Sequence, residues 1–220
     1  PVAELGALCQ ERGVLFHTDA VQWFGKEPFK DVHQFNADLV SLCAHKFHGP
    51  KGAGALFIRS PLQPDPILWG GAHENERRAG TENLAGTAGL VHALERFVRE
   101  PVFVRDNLIK MTTRLSDSIK STEGVMLVGS MTHGLANTLS FVVEGADSFG
   151  LLAALDVEGI CASAGAACSA GSLEPSHVVS ALGLNRDLAR SLVRFSLGRE
   201  NSTFEVRSEE HTSELQSPYV

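Results

Sequence analysis

The chain has 220 residues, 43% hydrophobic and 20% charged, the make-up of a soluble globular protein with room for one large or two small domains. A net charge of -7 with no basic stripe argues against nucleic acid as a partner, and no apolar run approaches the roughly 20 residues that span a bilayer. The four cysteines, Cys9, Cys43, Cys161 and Cys168, form no C-x-x-C pair and no zinc spacing, so they are expected to be free thiols in a reducing cytoplasm, with no metal site.

The chain opens at Pro1-Val2 without an initiator Met, as expected of a segment from within a longer protein. Strand and helix signals then alternate over residues 1–100, which predicts an α/β sheet with crossovers. A helix end is expected over Glu4 to Arg12, closed by Gly13. Strand-like runs follow at Val14 to Phe16, Asp38 to Cys43 and Gly54 to Arg59. From Thr81 to Arg99, Leu84, Ala88, Val91, Leu94 and Val98 repeat at three- and four-residue steps, the signature of an amphipathic helix. Pro101 marks the domain boundary. Beyond it, residues 101–206 predict a small α+β domain. A helix presents Leu108, Met111, Leu115 and Ile119, and strands are expected at Val125–Val128, Thr138–Val143, Gly159–Cys161 and Ser191–Leu197. A helix is expected near Phe149–Leu155, and another after the loop from Ala162 to Glu174. Ser202-Thr203-Phe204-Glu205 has the form of a capping box, but no apolar helical face follows it. The stretch from Arg207 onward reads like the translation of a DNA sequencing adapter, so residues 207–220 are taken as a non-native tail.

Open α/β sheets bind ligands beyond the carboxyl ends of their strands, where Asp19 and Lys46 both fall. A lysine closing an apolar run is partly desolvated, which favours the neutral amine that condenses with an aldehyde. A carboxylate beside a pyridine nitrogen keeps that nitrogen protonated. Those are the needs of pyridoxal phosphate, although a strand-end Asp also serves as a helix cap and a strand-end Lys as solvated surface. Lys51, beyond the Gly49-Pro50 turn, is the rival lysine and is expected to be exposed. His17 and His45 neighbour the pair and can bond phosphate, cofactor or backbone. Gln22, three residues after Asp19, can face the same pocket and donate to a phenolate oxygen. Arg77, Arg78 and Thr81 precede a helix, as an anion site or an ordinary cap. Cys168 sits in ten successive small residues, Ser163 to Ser172: either a travelling thiol or a small packed cysteine. Cys9, Cys43 and Cys161 read as structural, Cys161 on a strand. Arg194, inside an apolar strand, either faces solvent or grips a carboxylate in a cleft.

Five stretches occur in order: His17-Thr18-Asp19-Ala20-Val21-Gln22, Ala44-His45-Lys46-Phe47-His48-Gly49-Pro50-Lys51-Gly52, Arg78-Ala79-Gly80-Thr81-Glu82-Asn83, Cys168 with Ser172-Leu173-Glu174-Pro175-Ser176-His177, and Arg194-Phe195-Ser196-Leu197-Gly198-Arg199. From Pro1 to about Val206 the chain closely resembles the NifS-like cysteine desulfurases of class V of the pyridoxal-phosphate aminotransferases. The resemblance implies part of a fold type I large domain with a mainly parallel sheet over residues 1–100, followed by the small domain. It implies that Lys46 tethers pyridoxal 5'-phosphate and carries the substrate Cα proton, with Asp19 on the pyridine nitrogen and Gln22 on the ring oxygen. His45 and residue 43 would hold the phosphate, and Thr81 would reach the phosphate of the other subunit of a homodimer. Arg194 would bind the carboxylate of L-cysteine. Cys168 would take its sulfur as a persulfide, leave alanine, and pass the sulfur to an iron–sulfur scaffold or another acceptor protein.

The chain departs from the family pattern at Cys43, where Ser or Thr is usual and a thiol is the weaker donor, and at Asn75-Glu76, where Arg-Gly is usual. The family's first half, with its ring-stacking aromatic residue and another phosphate loop, has no counterpart here, so this chain alone is expected to be inactive. A selenocysteine lyase is the second reading. A catalytically silent, dimerising homologue is the third, and intact Asp19, Lys46 and Cys168 argue against it.

Overall fold

The computed structural model describes residues 1–99, 104–165 and 177–210, with 207–210 described by backbone alone. The chain divides into two compact units, Pro1–Phe103 and Val104–Val220.

The first unit opens with helix α1, Val2–Glu11, which ends where expected, with Gly13 in a left-handed conformation at φ 65°. Strand β1 is His17–Asp19, later than the expected Val14–Phe16. The reason is non-local. Strand β2, Leu39–Cys43, begins where the Asp38 and Leu39 amides both donate to the Phe16 carbonyl, so Val14 and Leu15 have no ladder and stay exposed. A ten-residue link leads from β2 to strand β3, Gly54–Ile58. The sheet order is β1-β2-β3, with β1 and β2 parallel and β2 and β3 antiparallel. Among the described residues this sheet is therefore not mainly parallel. A parallel pair needs a crossover of a dozen or more residues, and the link from Cys43 to Gly54 is too short and too tightly turned for one. Helix α2 is one turn, His73–Glu76, and helix α3 spans Leu84–Phe97.

Phe24, Phe35, Val40, Ala44, Phe47, Leu90 and Ala93 form the buried core beneath this sheet, with Trp23 and Phe29 packed against it. Trp23 meets Phe35 edge-on at 5.0 Å between ring centres, and Phe24 meets Phe29 at 4.9 Å. Each fully buried ring contributes about 1.5–3 kcal/mol, and each such pair about 0.5–1.5 kcal/mol more.

The second unit begins with helix α4, Arg105–Lys120, and strands β4, Val125–Val128, and β5, Thr138–Val143. It continues through helices α5, Ser148–Val157, α6, His177–Ala181, and α7, Arg186–Arg190, to strand β6, Val193–Ser196, and helix α8, Thr203–Glu210. The strands make an antiparallel sheet in the order β4-β5-β6. Leu108, Met111 and Leu115 are buried along α4, and the Thr112 hydroxyl donates to the Ala136 carbonyl at 2.6 Å.

Two expectations fail in this unit. Gly159–Cys161 is not a strand, and Cys161 is exposed; the pairing falls two residues later, where Ser163 bridges Arg194. A helix does follow the capping box. Glu205 Oε2 accepts from the Ser202 amide at 2.6 Å, and the Glu205 amide donates to the Ser202 hydroxyl at 3.4 Å. Among the residues of this helix whose side chains are described, Val206 is the buried one, only 1% exposed. Cys9, Cys43 and Cys161 are free thiols, and among the described residues no helix is long and apolar enough to cross a membrane.

Candidate active site

Parallel pairing sets the site. Thr18 lies opposite Val40 and Asp19 opposite Ser41, so β1 and β2 bring their carboxyl ends to one edge of the sheet. Past that edge the Ala20 amide donates to the Ser41 carbonyl at 3.0 Å, and the chain turns. The Asp19 carboxylate accepts from the Val21 amide at 2.9 Å, which orients the side chain while it stays exposed.

Lys46 lies in a single 3-10 turn, Ala44–Phe47, directly after β2. Both ends of the turn are pinned. The Ala44 amide donates to the Ala53 carbonyl at 3.0 Å, and the Gly49 amide to the Ala44 carbonyl at 2.8 Å. His48 takes the left-handed conformation at φ 66°, and Ala44 and Phe47 are fully buried. These anchors leave Lys46 half-buried and His45 exposed at the rim. Lys51 is exposed, as expected.

Cys43 ties the edge together. Its thiol is half-buried and lies 3.9 Å from His45 Nε2. Burial pushes this thiol above its ordinary 9.0; the Lys46 amide and the Lys46 charge oppose that rise, and the Asp19 charge adds to it. The carboxylate at 19 and the ammonium at 46 therefore act on one sulfur atom. Cys43 stands at the end of β2, directly before the turn that carries Lys46.

His17 is held by a side chain rather than by backbone, its Nε2 lying 2.8 Å from the Ser41 hydroxyl. Gln22 is exposed, and its carboxamide oxygen accepts from the ammonium of the buried Lys26. Sequence reasoning missed Lys26, because a lysine reads as surface unless burial is known. Its spacing of four from Gln22 was the only signal available.

Thr81 is exposed and does not cap α3. That task belongs to Asn83, whose Oδ1 accepts from the Gly86 amide at 3.0 Å. Arg77 and Arg78 are exposed as well. In α2, Glu74, Asn75 and Glu76 all have positive φ, 53°, 55° and 64°. Where the family pattern has Gly at 76, this chain holds a glutamate in a conformation that costs a side-chain-bearing residue about 1–2 kcal/mol.

In the second unit Arg194 is half-buried in β6 opposite Ser140, and its Nε is buried with no hydrogen-bond partner among the described residues. Its amide donates to the Ser163 carbonyl at 2.7 Å, and the Ser163 amide donates back at 3.1 Å. This bridge fixes the chain two residues before the described backbone stops at 165; Cys168 lies outside the described residues. Among the described residues no group of His, Cys, Asp or Glu is placed to hold a metal ion.

The sequence matches the class-V aminotransferase family over residues 1–208. The chain belongs to that family. It is 43% identical over 206 residues to cysteine desulfurase IscS of Methanosarcina thermophila, covering 94% of this chain and 51% of that protein. It is 41% identical over 203 residues to cysteine desulfurase IscS of Dictyoglomus turgidum, covering 90% and 50%. Among solved structures, the NifS-like protein of Rickettsia africae matches with a TM-score of 0.84 at 27% identity, covering 97% of this chain and 56% of that one. The class-V chain described here therefore spans about half the length of the curated relatives it matches.

Proposed function

We propose that this chain is the part of a cytoplasmic, pyridoxal-phosphate-dependent cysteine desulfurase that carries the tethering lysine, the ring-nitrogen acid and the sulfur-accepting cysteine. The observation that carries the reading is the parallel register of β1 and β2, which sets Asp19 opposite Ser41 and so brings an acid to the sheet edge where the Lys46 turn begins. Relatives named cysteine desulfurase at 39–43% identity support the chemistry.

The donor set fits the cofactor. Pyridoxal phosphate, when bound, supplies an aldehyde that condenses with an amine and a protonated ring that withdraws electrons. Lys46, held at the rim by its buried neighbours Ala44 and Phe47, is the amine, and afterwards holds and returns the proton at the substrate Cα. Asp19, oriented by the Val21 amide, accepts from the ring N–H. Gln22 donates to the ring oxygen. Cys43 and His45 face the phosphate, and Thr81, left free of capping duty by Asn83, reaches the phosphate of the other subunit in a homodimer. Arg194, with a buried Nε seeking an acceptor, binds the carboxylate of L-cysteine bidentately. Residues 1–100 then supply the large domain and 101–206 the small one, with 207–220 a non-native tail onto whose first residues α8 continues.

Cys168 attacks the substrate sulfur. An S–S bond forms as the substrate C–S bond breaks, and alanine leaves once its carbon is protonated. The persulfide then passes to an iron–sulfur scaffold or another acceptor protein. The test is Cys168→Ser in the full-length protein that contains this chain. The expected result is a cofactor that stays bound and sulfide release from L-cysteine that stops. Sulfide released at the parent rate would show that the thiol at 168 is structural.

A further inference from the structure

Lys26 is 9% exposed, which is rare for a lysine and costs free energy unless the charge is paired. It stands at the end of the turn that follows β1. Its amide donates to the Trp23 carbonyl at 3.1 Å. The preceding Gly25 is left-handed at φ 77°, and a Cβ there would meet Phe47 Cβ at 2.9 Å. The turn carrying Lys26 is therefore pressed onto the turn carrying Lys46. From that position the Lys26 ammonium donates to Oε1 of Gln22.

An ammonium is only a donor, whereas a carboxamide has one accepting end and one donating end. Contact with Lys26 thus decides which way the Gln22 amide points: oxygen toward the buried cation, NH2 away from it. A flipped amide would set two donors against Lys26 and leave an acceptor facing outward.

We propose that Lys26 is a positioning residue that holds the Gln22 carboxamide with its NH2 outward, as the donor to the ring oxygen of the cofactor. The proposal rests on the reading of Gln22 as the ring-oxygen ligand and adds what orients it. A residue that only filled space in the turn would not select between the two ends of an amide.

The visible absorbance band of the cofactor-loaded, full-length protein reads this directly, because a hydrogen bond to the ring oxygen changes the ring's electron distribution. Gln22→Leu defines the band without the donor. Lys26→Met is expected to move the band in the same direction, the Gln22→Leu/Lys26→Met double variant to coincide with Gln22→Leu alone, and Lys26→Arg, still only a donor, to keep the parent band. A folded, loaded Lys26→Met protein with the parent band, or a double variant in which the two shifts add, overturns the positioning role while Gln22 keeps its own. If Lys26→Met fails to load cofactor, Lys26→Arg decides: a band moved as in Gln22→Leu overturns the proposal. A Gln22→Leu protein with the parent band refutes the ligand role of Gln22, and the positioning role with it.

Discussion

Asp19 lies opposite Ser41 in the parallel ladder between β1 and β2, and that register carries the site. Side chains alternate between faces along a strand, so a slip of one residue would turn the Asp19 carboxylate to the opposite face. Five residues after Ser41 comes Lys46, in a turn pinned at both ends. Acid and amine come to the same sheet edge because two strands end together.

Replacing the acid tests the pairing with the ring nitrogen. A hydrogen bond to a charged group contributes about 1.5–3 kcal/mol, so Asp19→Asn in the full-length protein should weaken cofactor binding about ten- to a hundredfold. Fluorescence titration of the apoprotein with pyridoxal phosphate measures this. Parent affinity in Asp19→Asn would show that the carboxylate only stabilises the turn through Val21.

The amine has a spectroscopic test. Lys46→Ala should remove the visible band of lysine-bound cofactor, and Lys51→Ala, on an exposed residue beyond the turn, should leave it intact. An unchanged visible spectrum in Lys46→Ala refutes the assignment.

Cys43 offers a gain rather than a loss. A hydroxyl is a better hydrogen-bond donor than a thiol, and Cys43 stands at the start of the lysine turn with no side-chain capping bond to give up. Cys43→Ser should tighten cofactor binding about two- to tenfold, the equivalent of about 0.5–1.5 kcal/mol. Because burial raises the folded thiol above 9.0, the folded state holds its proton longer than the unfolded chain does, and the parent loses stability as pH rises past that value. The serine variant should lack this alkaline loss, which melting curves taken on either side of pH 9 detect.

The local signals in the sequence were legible. The Gly13 stop, β2 and β3, the apolar stripe of α4 and the strand-end positions of Asp19 and Lys46 depend on neighbours a few residues away; the stripe expected on α3 does not hold, since Leu84, Ala88 and Val91 are exposed and the helix turns Leu90 and Ala93 into the core instead. What escaped depends on distant partners. The start of β1 is set by the Asp38 and Leu39 amides, the burial of Lys26 by the packing of its turn on Phe47, and the bridge at Ser163 by Arg194. At Thr81 the sequence leaves an anion site and an ordinary cap both open, and the cap alternative fails because Asn83, two residues on, is the one that reaches Gly86. Helix α8 was missed because, among its residues with described side chains, Val206 alone is buried.

Packing of the two turns gives a stability test. Alanine at Gly25 must adopt a left-handed backbone and press against Phe47, so Gly25→Ala should cost about 1–3 kcal/mol. Gly13→Ala, also left-handed but with nothing within 4 Å of its Cβ, should cost about 1 kcal/mol. Chemical denaturation of the two variants measures the difference. Equal losses would mean that backbone conformation alone matters and that the turns do not press on one another.

The capping box of α8 makes stability depend on acid. The Ser202 amide, the Ser202 hydroxyl and Asn201 all favour ionised Glu205, holding its carboxyl below the ordinary 4.5. A depressed carboxylate stabilises the fold above its unfolded value, and that contribution disappears as pH falls through the folded value. Gln at 205 can still accept from the Ser202 amide, but it carries no charge to lose. The melting-temperature gap between the parent and Glu205→Gln should therefore be widest above pH 4.5 and close as the solution is acidified. A gap that stays constant down to about pH 3 would mean that the Glu205 charge does not stabilise the start of α8.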